Sequence, residues 1–154
     1  MIAPPDPNSG LYVVVLQIQA RLCVDVGALG PLHFDAGTCL YVGSARRNLR
    51  QRIARHLAAT KRVRWHVDYL TTNPGVRVVG AVVVTGASWS ECALNQSLGA
   101  SLDGAVPVPR FGNSDCRAHC PAHLWWHGGV VSLQDVAALV PAAQIVVGTA
   151  RTAG

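Results

Sequence analysis

Two long runs of apolar, β-branched residues, Leu11 to Gln19 and Val76 to Thr85, leave this chain few folds to adopt. Branched side chains favour an extended backbone, where they pack well against neighbours on a pleated surface. The first run carries no charged residue, so it predicts a central strand of a sheet.

Shorter patterns predict the rest of the fold. We expect a hairpin from Leu22 to Val26 and Pro31 to Phe34, and a returning strand from Thr38 to Val42. Helices are predicted over about Ala45 to Ala59, over Arg64 to Leu70, from Ser88, and after Ser132; Leu124-Trp125-Trp126 is predicted to be an edge strand. The predicted fold class is α/β, with a mostly antiparallel central sheet, flanking helices and an inserted N-terminal hairpin.

The length of 154 residues predicts a single domain. Residues 1–9 contain three prolines and are predicted to be a disordered lead, followed by a domain over residues 10–140 and a C-terminal tail over residues 141–154.

The cellular setting is predicted from what the sequence contains. Hydrophobic residues make up 50% of the chain, but no apolar stretch approaches the roughly 20 residues of a spanning helix. The first residues match no signal peptide, and five cysteines are an odd number for a disulfide framework. We therefore expect a cytoplasmic protein with no membrane association.

Positive charge is concentrated in one segment. Eight of the thirteen basic residues lie between residues 44 and 64, without an acidic residue among them. Such a helix can be merely solvated, but an unpaired cluster of arginines favours contact with a polyanion. We expect DNA, or alternatively RNA, to contact the following residues: Ser44, Arg46, Arg47, Arg50, Arg55, Lys61 and Arg62. Arg52 and His56 lie one helical turn apart and are expected to face a cleft beside the sheet.

Four elements of the sequence carry a family resemblance. Gly10-Leu11-Tyr12 and Tyr41-Val42-Gly43 resemble the paired tripeptides of the GIY-YIG nuclease superfamily. Arg52 and His56 resemble its helix motif, and Glu91, the only glutamate, lies where the superfamily keeps a metal-binding glutamate. The closer similarity is to small GIY-YIG-like domains of unknown function, found alone or joined to endonuclease III-type repair enzymes. Residues 13–40 separate the two tripeptides, which is a long insertion for the superfamily, and these small domains share it.

The resemblance implies a metal-dependent endonuclease that hydrolyses DNA, in repair or processing. Glu91 would hold Mg²⁺ or Mn²⁺, and Arg52 would bind the scissile phosphate. Tyr41 or Tyr12 would take the proton of the attacking water, with His56 beside them, and we favour Tyr41. Since a phenol ordinarily has a pKa near 10, Arg52, the metal or His56 would have to lower it.

Two alternatives remain open on the sequence. One is a nucleic-acid-binding module that keeps the fold without cleaving its ligand. The other is a zinc-stabilised interaction domain, in which Cys116, His119, Cys120 and His123 bind the ion. Four ligands within eight residues would strain a tetrahedral site, so the simpler interpretation is a loop fixed by buried Cys and His side chains against Trp125 and Trp126.

Overall fold

The computed structural model describes residues 8–85, 90–111, 120 and 122–148. The strands are β1 (Gly10–Ile18), β2 (Leu22–Asp25), β3 (Pro31–Phe34), β4 (Gly37–Ala45), β5 (Val76–Thr85), β6 (Leu124–His127) and β7 (Gln144–Val147). The α-helices are α1 (Leu49–Leu57), α2 (Asp68–Thr71), α3 (Glu91–Ser101) and α4 (Leu133–Ala137). Within these ranges, no helix combines the length and the apolar composition needed to span a membrane.

The central sheet has five strands in the order β6-β4-β1-β5-β7, and every neighbouring pair is antiparallel. β2 and β3 follow β1 along the chain and precede β4, and they form a separate two-stranded hairpin outside the central sheet. The predicted α/β class, with an antiparallel sheet, flanking helices and an inserted hairpin, is confirmed.

The sheet is covered on both faces, which explains why β1 is apolar at consecutive positions. Alternate side chains such as Tyr12 and Val14 pack with α1 and α2, whereas Val13 and Val15 pack with α3 and α4. Because a strand alternates its side chains between faces, a strand between two helical layers must be apolar throughout.

The first helix begins later than its sequence pattern predicts. β4 continues through Ala45, and Asn48 adopts a left-handed conformation at φ 59° before α1 begins at Leu49. The backbone N–H groups of Leu49 and Arg50 donate to the backbone and side-chain oxygens of Asn8 at 3.0 and 2.8 Å. Asn8 thus satisfies amide donors that the helix itself leaves open. Residues 1–7 of the predicted lead lie outside the described residues.

The segment assigned to a C-terminal tail contains a strand. β7 pairs with β5 over Gln144 to Val147 and forms one edge of the sheet. Gly80 permits this pairing, because a Cβ atom there would collide with the carbonyl oxygen of Val146. A short exposed strand of this kind is stabilised by its partner strand, which a local sequence pattern does not reveal.

Candidate functional site

The two tripeptides lie side by side at one end of the sheet. Tyr12 of β1 is directly opposite Gly43 of β4, and its ring covers that glycine. A Cβ atom at position 43 would lie 2.5 Å from Cζ of Tyr12, so only glycine fits beneath the ring. Gly10 has φ +154°, and a Cβ atom there would collide with the carbonyl oxygen of Val84. Both glycines therefore have steric reasons to be present.

His56 of α1 lies at the centre of a group of rings, here called the aromatic cluster: Tyr12, Tyr41 and His56, which are buried, and Trp65, which is half-buried. The Tyr12 hydroxyl lies 2.9 Å from His56 Nε2. The rings of Tyr41 and Trp65 have their centroids 5.8 and 5.5 Å from that of His56. His56 Nδ1 is buried and has no hydrogen-bond partner among the described residues.

Burial determines the protonation of the aromatic cluster. Burial, together with the nearby charge of Lys61, lowers the pKa of His56 to about 4, so the imidazole is neutral at pH 7. Burial raises the pKa of both Tyr12 and Tyr41 well above the ordinary value of 10. Arg52 lowers the pKa of each phenol, but burial outweighs this charge. Both tyrosines therefore hold their protons at neutral pH.

A second set of residues, the polar chain, adjoins the aromatic cluster and consists of Arg52, Ser44, Glu91 and His123. Arg52 Nη1 donates to the backbone oxygen of Ser44 at 2.8 Å. The Ser44 hydroxyl donates to Glu91 Oε1 at 2.7 Å, and His123 Nδ1 lies 2.8 Å from Glu91 Oε2. Ser44 is thus a residue of β4 whose side chain binds Glu91, and it does not cap α1.

Glu91 is held as a carboxylate that solvent can reach. Burial alone would raise the pKa of Glu91, but the close contact with the His123 imidazole, the hydrogen bond from Ser44 and the positive charge of Arg52 outweigh burial and lower it. The Glu91 side chain is 30% exposed, whereas His123 is buried. The site therefore presents one fixed negative charge to solvent.

The structure brings most of the predicted site residues together. Tyr12 and Gly43 are opposite each other and Ser44 follows Gly43, so the aromatic cluster and the polar chain meet at this end of β1 and β4. The charges of Arg52 and Glu91 both act on Tyr12. The sequence favours Tyr41 as the proton acceptor, but it is Tyr12 whose hydroxyl contacts His56.

Three of the predicted phosphate contacts are occupied within the protein, and one of them is Ser44, whose hydroxyl is bound to Glu91. Arg55 donates from Nη1 and Nη2 to the two carboxylate oxygens of buried Asp68 at 3.0 and 2.9 Å, and its guanidinium lies 4.5 Å from the ring centroid of Trp65. Lys61 donates to the His56 backbone oxygen and to Thr71. The premise that this segment lacks an acidic partner is therefore wrong for Arg55. Four of the predicted contacts are exposed: Arg46, Arg47, Arg50 and Arg62.

The predicted zinc ligands are only partly described. Cys116 and His119 lie outside the described residues, while Cys120 and His123 are buried. Their ligand atoms lie close to the thiol of Cys92, which follows Glu91 on α3. Sequence reasoning missed Cys92, because its distance along the chain from Cys120 gives no metal-binding spacing.

Comparison with known proteins places the chain in a family. No curated protein and no solved structure gives a match. A family model described as a domain of unknown function, DUF123, matches residues 11–144. This match includes β4 to β6 and every residue of the aromatic cluster and the polar chain. The chain therefore belongs to the DUF123 family.

Proposed function

We propose that this DUF123 domain is a metal-dependent endonuclease that hydrolyses phosphodiester bonds in DNA, in cytoplasmic repair or processing. One observation carries the proposal: the polar chain places a guanidinium and an ionised carboxylate beside a tyrosine that is hydrogen-bonded to a neutral histidine. Phosphodiester hydrolysis needs positive charge on the phosphate, a metal ligand and a proton acceptor. The similarity of the tripeptides and Arg52 to the GIY-YIG superfamily supports the same reaction.

Arg52 supplies the phosphate contact in this proposal. One of its amino groups is bound to the backbone of Ser44, which fixes the guanidinium while leaving other N–H donors for phosphate oxygens. The guanidinium of Arg52 also lies over the Trp65 ring, with Cζ 5.3 Å from the ring centroid. A fixed guanidinium binds phosphate with less loss of side-chain entropy than a mobile lysine. Exposed Arg47, just before α1, and exposed Arg50, on α1, extend the positive surface.

Tyr12 and His56 supply the proton transfer. Because burial keeps Tyr12 protonated, its phenol cannot be an ionised base before substrate binds. In the tautomer that carries its proton on Nδ1, neutral His56 has the Nε2 lone pair 2.9 Å from the Tyr12 oxygen and can accept the phenolic proton as Tyr12 accepts one from the attacking water. Tyr12 would thus relay a proton from water to His56.

Glu91 fits the metal ligand that this chemistry requires. Its oxygens accept from Ser44 and contact His123, and each carboxylate oxygen has a further lone pair available. Mg²⁺ and Mn²⁺ bind through one or two carboxylates, with water and substrate phosphates completing the shell. The ion would supply positive charge to the phosphate oxygens.

A DNA-binding module without cleavage is the second candidate, and the raised pKa values of Tyr12 and Tyr41 favour it. In that case the exposed arginines of α1 would bind the backbone, and the aromatic cluster would be only a packed core. Binding that persists in EDTA without cleavage under any metal condition would identify this activity.

The test is incubation of the purified protein with duplex, flapped and branched DNA in Mg²⁺ or Mn²⁺, with EDTA as the metal-free control. Glu91→Gln removes the charge with little change in volume, and we expect it to abolish cleavage while DNA binding in EDTA persists. Asp25→Asn makes the same change at an exposed position on the hairpin, and this control should cleave normally. Wild-type activity in Glu91→Gln would exclude Glu91 as the metal ligand.

A further inference from the structure

Two thiols and an imidazole lie close together beside Glu91. The sulfur atoms of Cys92 and Cys120 and a ring nitrogen of His123 all lie within 4.8 Å of one another. His123 Nε2 is 3.8 Å from Cys92 Sγ. Cys120 is 4% exposed and His123 is fully buried, whereas Cys92 is half-buried.

These spacings suit a tetrahedral ion. With Zn–S about 2.3 Å and Zn–N about 2.0 Å, tetrahedral angles place ligand atoms roughly 3.5 to 3.8 Å apart. The observed 3.8 Å between His123 Nε2 and Cys92 Sγ is about 0.3 Å longer than the roughly 3.5 Å expected for a nitrogen and a sulfur bound to one zinc ion. The ligand positions are therefore nearly formed by the fold itself.

Glu91 gives His123 the orientation that a metal-bound histidine needs. Histidines that bind metals usually donate from the other ring nitrogen to a carboxylate or carbonyl group. His123 Nδ1 contacts the Glu91 carboxylate at 2.8 Å, which leaves Nε2 facing Cys92. The carboxylate thereby favours the tautomer whose Nε2 lone pair points at the cysteines.

The chemical types of these three donor groups favour zinc over Mg²⁺ and Mn²⁺. Thiolate and imidazole are ligands of zinc, whereas Mg²⁺ and Mn²⁺ prefer oxygen. A bound divalent ion would take both cysteines as thiolates and neutralise the two negative charges.

We propose that Cys92, Cys120 and His123 bind one zinc ion, which joins α3 to the chain that enters β6. This ligand set differs from the cluster predicted from the sequence, because Cys92 comes from a separate helix. The ion fixes His123 and, through His123, the carboxylate of Glu91. The zinc site does not depend on the proposed nuclease activity, since its role is to hold two elements together.

The first test is the zinc content of the purified full chain, expressed with zinc in the medium and measured by plasma mass spectrometry. We expect about one zinc per chain in the wild type, and loss of that zinc in Cys92→Ser and Cys120→Ser. Cys23→Ser is the matched control, because Cys23 is an exposed cysteine on the hairpin, and it should retain its zinc.

A second measurement uses only the wild-type protein, in case a serine variant fails to fold. Replacement of zinc by Co²⁺ should give the visible absorption of a tetrahedral cobalt site together with sulfur-to-cobalt charge-transfer bands. Alkylation followed by peptide mass spectrometry should find Cys92 and Cys120 protected until a chelator is added, while Cys23 reacts throughout.

Three results would overturn the proposal. The first is a folded wild-type protein that contains no zinc and gives no cobalt charge-transfer bands. The second is zinc that remains in folded Cys92→Ser and Cys120→Ser. The third is equal alkylation of Cys92 and Cys120 with and without the chelator. None of these measurements uses DNA cleavage, so failure of the zinc site and failure of the nuclease proposal are separate results.

Discussion

Tyr12 and Tyr41 belong to the same aromatic cluster but differ in what they contact. The Tyr12 hydroxyl lies 2.9 Å from His56 Nε2. Tyr41 meets His56 ring against ring. The difference assigns the proton relay to Tyr12 in the proposed reaction.

Phenylalanine substitutions separate these two roles. On the proposed function, Tyr12→Phe should slow cleavage by about 10² to 10⁴, the usual contribution of general acid–base catalysis. Tyr41→Phe should slow cleavage much less, since its ring remains. Single-turnover cleavage of one DNA substrate, at matched thermal stability, compares the two variants. A loss confined to Tyr41→Phe would reverse the assignment.

His56 should make the stability of the protein depend on pH. Its pKa in the folded protein, about 4, is below the ordinary value of 6.5. Between these pH values the unfolded chain binds a proton at His56 and the folded chain does not. The free energy of unfolding should therefore fall as pH is lowered through this range, by about 3 kcal/mol.

The measurement is urea denaturation at intervals between pH 7 and pH 4. His56→Gln keeps a polar group toward Tyr12 but does not titrate, so its stability should change less over this range. His33→Gln, at an exposed position, serves as the control and should follow the wild type. Equal pH dependence in His56→Gln and the wild type would assign the effect to other groups.

At the scale of elements, the arginines in and just before α1 have two different environments: some bind other groups of the protein, and others are exposed to solvent. Arg55 pairs with buried Asp68, whose carboxylate also accepts from the backbone N–H groups of Arg64 and Trp65. Burial by itself raises the pKa of Asp68, but these hydrogen bonds and the charge of Arg55 lower it overall. Arg47 and Arg50 are exposed on the same element or just before it.

Arg55→Gln should destabilise the protein by about 3 to 5 kcal/mol, because it leaves the Asp68 charge buried without its cation. Arg50→Gln, on the same helix, should change stability by less than about 0.5 kcal/mol. Urea denaturation at pH 7 compares the two. Similar small losses in both would mean that backbone donors alone satisfy Asp68.

The exposed arginines should determine how DNA binding depends on salt. Replacing Arg47 and Arg50 by Gln together should reduce the slope of log K against log[salt] by about 0.9 for each phosphate of duplex DNA that the variant no longer neutralises. Fluorescence anisotropy in EDTA measures the slope without cleavage. Arg77→Gln, at an exposed position on β5, should leave the slope unchanged. An unaltered slope in the double variant would show that α1 does not contact the backbone.

The difference between local chemistry and tertiary contacts explains how far the sequence can predict these elements. β1 and β5 are long β-branched runs, and Ser132 forms the capping box that its spacing with Asp135 indicates, so local chemistry is sufficient there. The sequence pattern places the start of α1 too early, because β4 extends to Ala45 and Asn8, from outside the helix, caps it. Sequence reasoning can bring Glu91 and Arg52 together through a resemblance. The ion pair of Arg55 with Asp68 and the proximity of Cys92 to Cys120 depend on tertiary contacts that no local spacing encodes.

At the scale of the whole molecule, the sheet is built from contacts between distant parts of the chain. β1, at its centre, pairs with β4 on one side and β5 on the other, and β7 joins the far edge. Folds dominated by such non-local pairing fold slowly.

We expect refolding from urea in milliseconds to seconds, followed by tryptophan fluorescence in a stopped-flow instrument. The equilibrium transition should be a single cooperative step, because both faces of one sheet form the core. Refolding in microseconds, or two separated equilibrium transitions, would contradict this expectation.

The central position of β1 also has a consequence for synthesis on the ribosome. β1 is made before both of its partner strands, and Val76, where its second partner begins, is translated much later. At about 5 to 20 residues per second, β1 waits several seconds with one side unpaired. During that time its apolar, β-branched sequence is exposed to other nascent chains. Slow synthesis, or a shortage of chaperones that bind extended apolar segments, should therefore lower the yield of this protein more than its final stability would suggest.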